Sequence, residues 1–456
     1  MASSKKITQS TNINKSKKRS TWSSGLGYMI SAAGSAVGLG NFWRFPYLAA
    51  KYGGATFLFV HAVMIFTIGA SLLLLENAIG RFTQKSVIEA FGYAGKKFKI
   101  VGIIAAAVPF LILPYYVIIG GWVTRYVYVF ACVDTSTISN SSDFFNSFLS
   151  GNWTYFWAFV FLAVTFIIVA LGVEKGIEKV NLVMMPALLI FGIGIAVYIM
   201  FQPGAIEGLK FYLVPDFSSF SFELILSALS QAFFTLSLAM GIMITYGSYC
   251  KKKENLETSA LQVSASTFIV SFLAGLIILP AAFMSFNGPP TNAGATLMFA
   301  TLPDIFNSMG AVARPIGCLF FILILFAALT SSISILETCV SIVTDTFNIS
   351  RKKTIIFMLV FFTAGATFVN SGFNVFSDIK ILDRDFLDFF DYFTSNLLMP
   401  IIAILTCIIW TWVVSPKILV DEIKLSSKFS VSKIWVFIVR YIAPIGILLV
   451  FLGNLL

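Results

Sequence analysis

GSAVGLGNFWRFPYLAAKYGG, residues 34–54, decides how this chain is read. It ends an apolar run that begins at Gly25, yet it sets Gly34, Gly38 and Gly40 around Ser35-Ala36-Val37. A glycine in a helix interior costs about 1 kcal/mol relative to alanine, so three in one short stretch predict that the helix stops there. Five apolar runs later, SQAFFTLSLAMGIMITYGSY (230–249) holds Thr235, Ser237 and Gly241 at the comparable place. Interrupted helices at matching positions in two halves predict an inverted repeat with a binding site at the membrane midplane. Small residues that merely let membrane helices pack closely produce the same pattern, and spacing alone leaves both readings open.

Outward from these two stretches the composition admits one class. The 456 residues are 58% hydrophobic, 16% aromatic and only 11% charged, against about 25% charged in soluble proteins. Apolar runs long enough to span a bilayer fall at about 25–50, 55–80, 100–131, 153–172, 180–201, 222–249, 257–286, 313–344, 354–370, 386–413 and 434–455. The expected fold is an all-α integral membrane protein of eleven transmembrane helices. Helices 1–5 and 6–10 form two inverted repeats (about 25–201 and 222–413), helices 1 and 6 are broken at the midplane, and 434–455 is an extra helix. Residues 1–22 read as a disordered tail and 23–456 as a single membrane domain, with no signal-peptide cleavage site.

The net charge of +10 reflects topology, not a nucleic-acid partner. Of the 31 basic residues, 23 fall in the tail and in alternate loops, which places the N-terminus in the cytoplasm and, after an odd number of spans, the C-terminus outside. The expected location is the cell (inner) membrane. Five scattered cysteines without CxxC spacing indicate neither a disulfide framework nor a zinc knuckle. His61 is the only histidine and no P-loop is present, so metal-dependent hydrolysis and ATP-driven pumping lack their residues. Without clustered His, Cys or paired carboxylates the chain does not read as an enzyme.

Ionisable residues inside spans are costly and face the bundle interior; here they are Arg44, Glu76, Arg125, Glu337, Asp345, Asp388, Asp391 and Arg440. Asp345 and Arg440 lie near cytoplasmic ends, where side chains snorkel, and Arg125 reads equally as paired or snorkelling. Arg44 and Asp391 both fall on the outer side of their helices, where a cross-bundle pair would close a cavity. Thr330-Ser331-Ser332 make a polar step in an apolar helix; such hydroxyls either bond back to i−4 carbonyls or join freed carbonyls around a hard cation.

Further stretches match in order: FFTLSLAMG, TYGSY, ALTSSISILE (328–337), LDFFDYFTSN (387–396) and RYIAPIGI (440–447). With residues 34–54 they make the chain resemble the neurotransmitter:sodium symporter family, bacterial branch, including its leucine transporter, over essentially residues 22–455. The resemblance implies a sodium-coupled symporter working by alternating access. One sodium site would use Ala36, Asn41, Thr235 and a helix-7 residue, Thr267 or Ser266, where the bacterial type has Asn. A second would use the carbonyls of Gly34, Val37 and Ala327 with the hydroxyls of Thr330 and Ser331.

Amine-carrying members have Asp where this chain has Gly38, so the substrate here should bring its own carboxylate and be an amino acid. Tyr116 and the N–H groups of Leu39 and Gly40 would meet that carboxylate, and carbonyls of Ala36, Phe234 and Thr235 the ammonium. Ile112, Phe234, Ser237, Met240, Ser331, Ser334 and Ile335 would surround the side chain. This uncharged set disfavours acidic and basic substrates, and Met240, standing where the leucine transporter has Phe, leaves adaptable room for large hydrophobic or aromatic ones. Ala239, in place of a family Gly, is expected to limit how far helix 6 unwinds.

Arg44 and Asp391 match the family's outer gate, with Tyr116 and Phe234 as its lid. Trp22 matches an inner latch, or equally an aromatic-belt anchor. Helix 7 carries no carboxylate, since none occurs between Glu257 and Asp304, so chloride is expected to bind near His61, Gln231, Thr235, Thr267 and Ser271; a packed core His61 is the plainer alternative. A transport-inactive amino-acid receptor and an amino-acid-gated channel of the same fold are the competing readings. Oligomeric state is left open.

Overall fold

The computed structural model describes residues 20–134, 138, 140–286 and 288–455. Residues 1–19 of the expected tail lie outside them. Eleven long helical segments follow one another. The first, α1, runs Gly25–Ala36 and resumes as Leu39–Phe42 and Arg44–Lys51. Then come α2 (Ala55–Thr83), α3 (Lys96–Cys132), α4 (Trp153–Ala170) and α5 (Val173–Met200). The sixth, α6, is again split, into Phe222–Thr235 and Ile242–Ser248. It is followed by α7 (Leu256–Phe286) and by α8 (Ala313–Phe347), α9 (Arg351–Phe373), α10 (Phe386–Val413) and α11 (Ser432–Asn454). Among the described residues nine of these, all but α1 and α6, are long and apolar enough to cross a membrane.

The expected runs fall on these helices with ends shifted by a few residues. Composition did not reveal the short connecting helices Val87–Tyr93, Ser141–Leu149, Ala205–Leu213 and Pro416–Lys424, whose mixed polar and apolar residues give no long hydropathy run. Both split helices open on a serine cap: Ser24 Oγ accepts from Gly27 N–H at 3.0 Å and Ser221 Oγ from Leu224 N–H at 3.1 Å, satisfying donors that a helix start leaves free.

Burial sorts the helices into a core and a rim. The most apolar window of α8 is 78% buried and that of α11 only 28%, so α8 is central and α11 peripheral. Along its length α8 packs on α3, and the first half of α1 lies against α5, α7 and α8. The inner half of α6 sits directly on α2. A Cβ on Gly247 would fall 2.4 Å from Asn77 O, and one on Gly80 2.0 Å from Ile244 O, so backbone meets backbone there, as small residues allow between membrane helices.

Candidate functional site

Both helix breaks are stabilised by specific partners. In α1, Val37 and Gly38 are extended between Ala36 and Leu39. A Cβ on Gly38 would lie 2.7 Å from Ser331 Oγ and 3.4 Å from Tyr116 Oη, so a side chain at this position would have to displace the Ser331 hydroxyl. Gly38 N–H, released from the helix ladder, donates to Asn41 Oδ1 at 3.0 Å.

In α6 the chain unwinds over 236–241, with positive φ at Ser237 (52°), Ala239 (60°) and Gly241 (70°). Ala239 itself adopts the left-handed conformation within this unwound stretch. The left-handed conformation costs an alanine about 1–2 kcal/mol, and a hydrogen bond offsets it: Glu76 Oε1, buried on α2, accepts from Ala239 N–H at 2.7 Å. Ser237 Oγ donates to Ser35 O at 2.9 Å, joining one break to the other.

Between the breaks lies a cavity of about 340 Å³. All twelve residues expected around a substrate line it: Ala36, Leu39, Gly40, Ile112, Tyr116, Phe234, Thr235, Ser237, Met240, Ser331, Ser334 and Ile335. Its charged residues are Arg44, Asp388 and Asp391; the rest of the lining is neutral. The buried hydroxyl of Tyr116 donates to no protein acceptor within hydrogen-bond geometry, and the Ser331 hydroxyl and the Leu39 N–H face its oxygen, so a donor is available beside the α1 break.

Oxygens gather at the junction of α1 and α8. Thr330 Oγ1 lies 3.1 Å from Ala327 O and 3.5 Å from Val37 O, while Ser331 Oγ lies 3.2 Å from both Val37 O and Ser35 O. A Cβ on Gly34 would come within 3.3 Å of Thr330 Cβ. Thr330 also bonds back to Phe326 O at 3.0 Å, so it shows both behaviours expected of a hydroxyl there.

Near the outer half of α1, Asn41 Nδ2 donates to Thr267 O at 3.2 Å and to Ser271 Oγ at 2.8 Å. Of the two helix-7 candidates, Thr267 is therefore the one beside Asn41; Ser266 bonds back to Gln262 O at 2.9 Å. Thr235 Oγ1 donates to Gln231 O at 2.8 Å.

The residues expected around chloride have distinct settings. Gln231 Nε2 donates to Gly40 O at 3.0 Å, and the buried Thr267 hydroxyl has no protein partner. Fully buried His61 stacks on Phe57 and contacts Phe45, its Nδ1 lies 3.4 Å from Ala228 O, and its Nε2 has no partner. With Nδ1 as donor, a neutral ring presents Nε2 as a lone pair. The other neutral tautomer, or the doubly protonated ring, offers an N–H to an anion there.

Arg44 and Asp391 both line the central cavity and a second, outer cavity of about 650 Å³, but they form no ion pair. Arg44 Nη2 donates to Ser230 Oγ at 2.8 Å and its guanidinium lies 5.6 Å from the Phe234 ring centre. Asp391 Oδ1 accepts from Tyr115 at 3.1 Å and from Ser395 at 3.0 Å.

The opposite end is closed. Trp22 is 1% exposed; its Nε1 donates to Tyr246 O at 3.1 Å and its ring meets those of Tyr28, Tyr246 and Tyr249. This burial favours the latch over a belt anchor. Glu178 accepts from Ser23 N–H at 2.9 Å and from the Ser23 hydroxyl.

Other in-span charges also find partners. Asp345 accepts from Ser86 N–H at 2.7 Å instead of snorkelling, Glu337 pairs with Arg351 and Tyr249, Arg440 lies 4.1 Å from the Trp412 ring centre, and Arg125 lies 4.9 Å from that of Phe148. Sequence reasoning had assigned no role to Tyr115, Ser230, Ser395 or the Glu76 strut. Tyr115, next to Tyr116, and Glu76, a charge in an apolar run, carry a local hint.

Comparisons with known proteins identify the family. A family model described as "Sodium:neurotransmitter symporter family" matches residues 19–147 and 149–456. A sodium-dependent transporter of Haemophilus influenzae is 37% identical over 96% of this chain and 99% of its own length. Another, from Bacillus subtilis, is 37% identical over 95% and 97%. The crystal structure of MhsT in complex with L-phenylalanine superposes with a TM-score of 0.86 at 36% identity, covering 96% of this chain and all of that one.

Proposed function

Because the chain belongs to the sodium:neurotransmitter symporter family, we propose that it imports neutral amino acids, large hydrophobic or aromatic ones in particular, by sodium-driven alternating access. One observation carries this reading: a pocket uncharged apart from Arg44, Asp388 and Asp391, with the Tyr116 hydroxyl in its wall, adjoins helix breaks whose freed carbonyls converge with the Thr330 and Ser331 hydroxyls. Gly38 brings no carboxylate, so the substrate supplies its own to Tyr116 and to the Leu39 and Gly40 N–H groups. The phenylalanine held by MhsT is of the expected class.

One sodium ion binds among Ala36, Asn41, Thr235 and Thr267, the other among Gly34, Val37, Ala327, Thr330 and Ser331. Eleven spans in two inverted five-helix repeats carry these sites, with the N-terminus cytoplasmic. A cavity reaching Arg44 and Asp391 while Trp22 seals the other end is the state that awaits substrate from outside. Closure brings Arg44 and Asp391 together over Tyr116 and Phe234.

The test is uptake of labelled phenylalanine, leucine, glutamate and lysine into proteoliposomes under an inward sodium gradient. Phenylalanine and leucine should accumulate and the charged pair should not. Thr330→Ala with Ser331→Ala should abolish accumulation; full activity in that double variant removes the assignment, and binding without accumulation would identify a receptor. Replacing chloride with gluconate should slow uptake, because two sodium charges lack a fixed anion on helix 7. Equal uptake in the two media removes chloride from the mechanism.

A further inference from the structure

Asn181, on α5, is fully buried and takes part in none of the interactions assigned above. Its Nδ2 donates to Ile177 O at 2.8 Å. That carbonyl cannot donate, so it sets the orientation of the amide and leaves Oδ1 on the other side, where it has no protein partner. Oδ1 lies against Gly34, one of the residues assigned to the second sodium site. A Cβ on Gly34 would stand 2.4 Å from it and 3.3 Å from Thr330 Cβ, so the Asn181 oxygen and the Thr330 side chain meet the same side of Gly34. A buried carbonyl without a donor is costly, and such orphans call for an explanation.

Resting on the sodium-site reading above, we infer that Asn181 Oδ1 is an oxygen ligand for the second sodium ion as it leaves toward the cytoplasm. The break at Val37–Gly38 separates residues 25–36 mechanically from the outer half of α1. When that inner half swings away, the Gly34 carbonyl leaves with it and the obstruction in front of Asn181 is removed. Asn181 stays behind on α5 and replaces one oxygen by another, so the ion is never stripped bare in a low-dielectric bundle. Glu178 stands on the same face of α5, three residues nearer the cytoplasm. It is held by Ser23 while the inner side is shut and becomes the next oxygen when that contact parts.

The experiment compares wild type, Asn181→Ala, Asn181→Asp and the Thr330/Ser331 double alanine variant. Two quantities are read: sodium-driven phenylalanine uptake, and the sodium concentration for half-maximal phenylalanine binding in detergent. Asn181→Ala should slow uptake at least about tenfold, the low end for outer groups of a metal site, while binding keeps its sodium dependence within about twofold. Asn181→Asp keeps the oxygen and adds charge, so it should lower the sodium concentration needed for binding and slow uptake by retaining the ion. Wild-type uptake in Asn181→Ala overturns the inference. So does a parallel loss of uptake and binding in both single variants without any sodium shift, which marks a packing role. If Asn181→Asp shows no sodium shift while the double variant loses sodium dependence, only the exit ligand falls. If the double variant retains sodium dependence, the site reading falls and takes Asn181 with it.

Discussion

At the residue scale, the α6 break depends on a carboxylate from another helix. Ala239 occupies a backbone region that favours glycine, and Glu76 holds its N–H. Removing a buried acceptor leaves that N–H unsatisfied at a cost of about 1–3 kcal/mol, and the disturbance falls beside Met240 in the pocket wall. Glu76→Ala is therefore expected to lower the thermal stability of the purified protein and to weaken phenylalanine binding. Glu76→Gln retains the accepting oxygen and should lose much less of either. Equal behaviour of the two variants in a melting assay with and without phenylalanine would show that the contact does not shape the pocket. This role could not be read from sequence. Glu76 stands out only as a charge in an apolar run, and its partner is a backbone N–H 163 residues away.

At the scale of elements, legibility followed the strength of the local pattern. The α1 break was legible because three glycines concentrate their helix penalty in one place. The α6 break had one glycine and two hydroxyl residues, so family resemblance had to supply what composition left open. The Thr330-Ser331 step was readable as a polar interruption of α8, whereas Asn181 was invisible because its distinguishing feature is an absent partner.

The inner latch belongs to this scale as well. Trp22 ties the start of α1 to the inner half of α6 through Tyr246 and Tyr249, and Cys250 lies buried directly after Tyr249. Truncating a buried tryptophan costs about 3–5 kcal/mol, enough to move a two-state equilibrium far toward its open form. Trp22→Ala, in a background where the exposed Cys132 is replaced by Ser, should speed labelling of Cys250 by a membrane-impermeant thiol reagent applied from the cytoplasmic side. An unchanged labelling rate would mean that Trp22 does not hold that side closed.

At the scale of the whole molecule, the scarcity of charge that defines the composition is organised around one end of the bundle. On the proposed orientation, the basic residues that set topology lie at the cytoplasmic face, and so do the buried ion pairs. Arg81 at the end of α2 is fully buried, donating to Glu422 Oε1 at 2.8 Å and to the backbone of Glu254 and Glu422 at 2.5 Å; Lys252 joins Glu422 at 2.8 Å.

This cluster connects α2, the α6–α7 loop and the short helix Pro416–Lys424 that leads to α11. It thereby anchors the rim helix, which lies outside both expected repeats, to the part of the bundle holding the inner half of α6. Breaking such a pair by removing one partner costs about 3–5 kcal/mol because it strands a buried charge, whereas replacing both with apolar groups of similar volume is often neutral. Glu422→Ala should accordingly reduce the yield and melting temperature of the folded protein sharply. Arg81→Met with Glu422→Leu should recover stability, although it leaves Lys252 unpaired at the surface, where a lone charge costs little. If the recovered double variant also transports phenylalanine at the wild-type rate, the cluster is structural. If it is stable yet slow, the same ion pair times the opening of the cytoplasmic side, because the helices it joins are those that flank the latch.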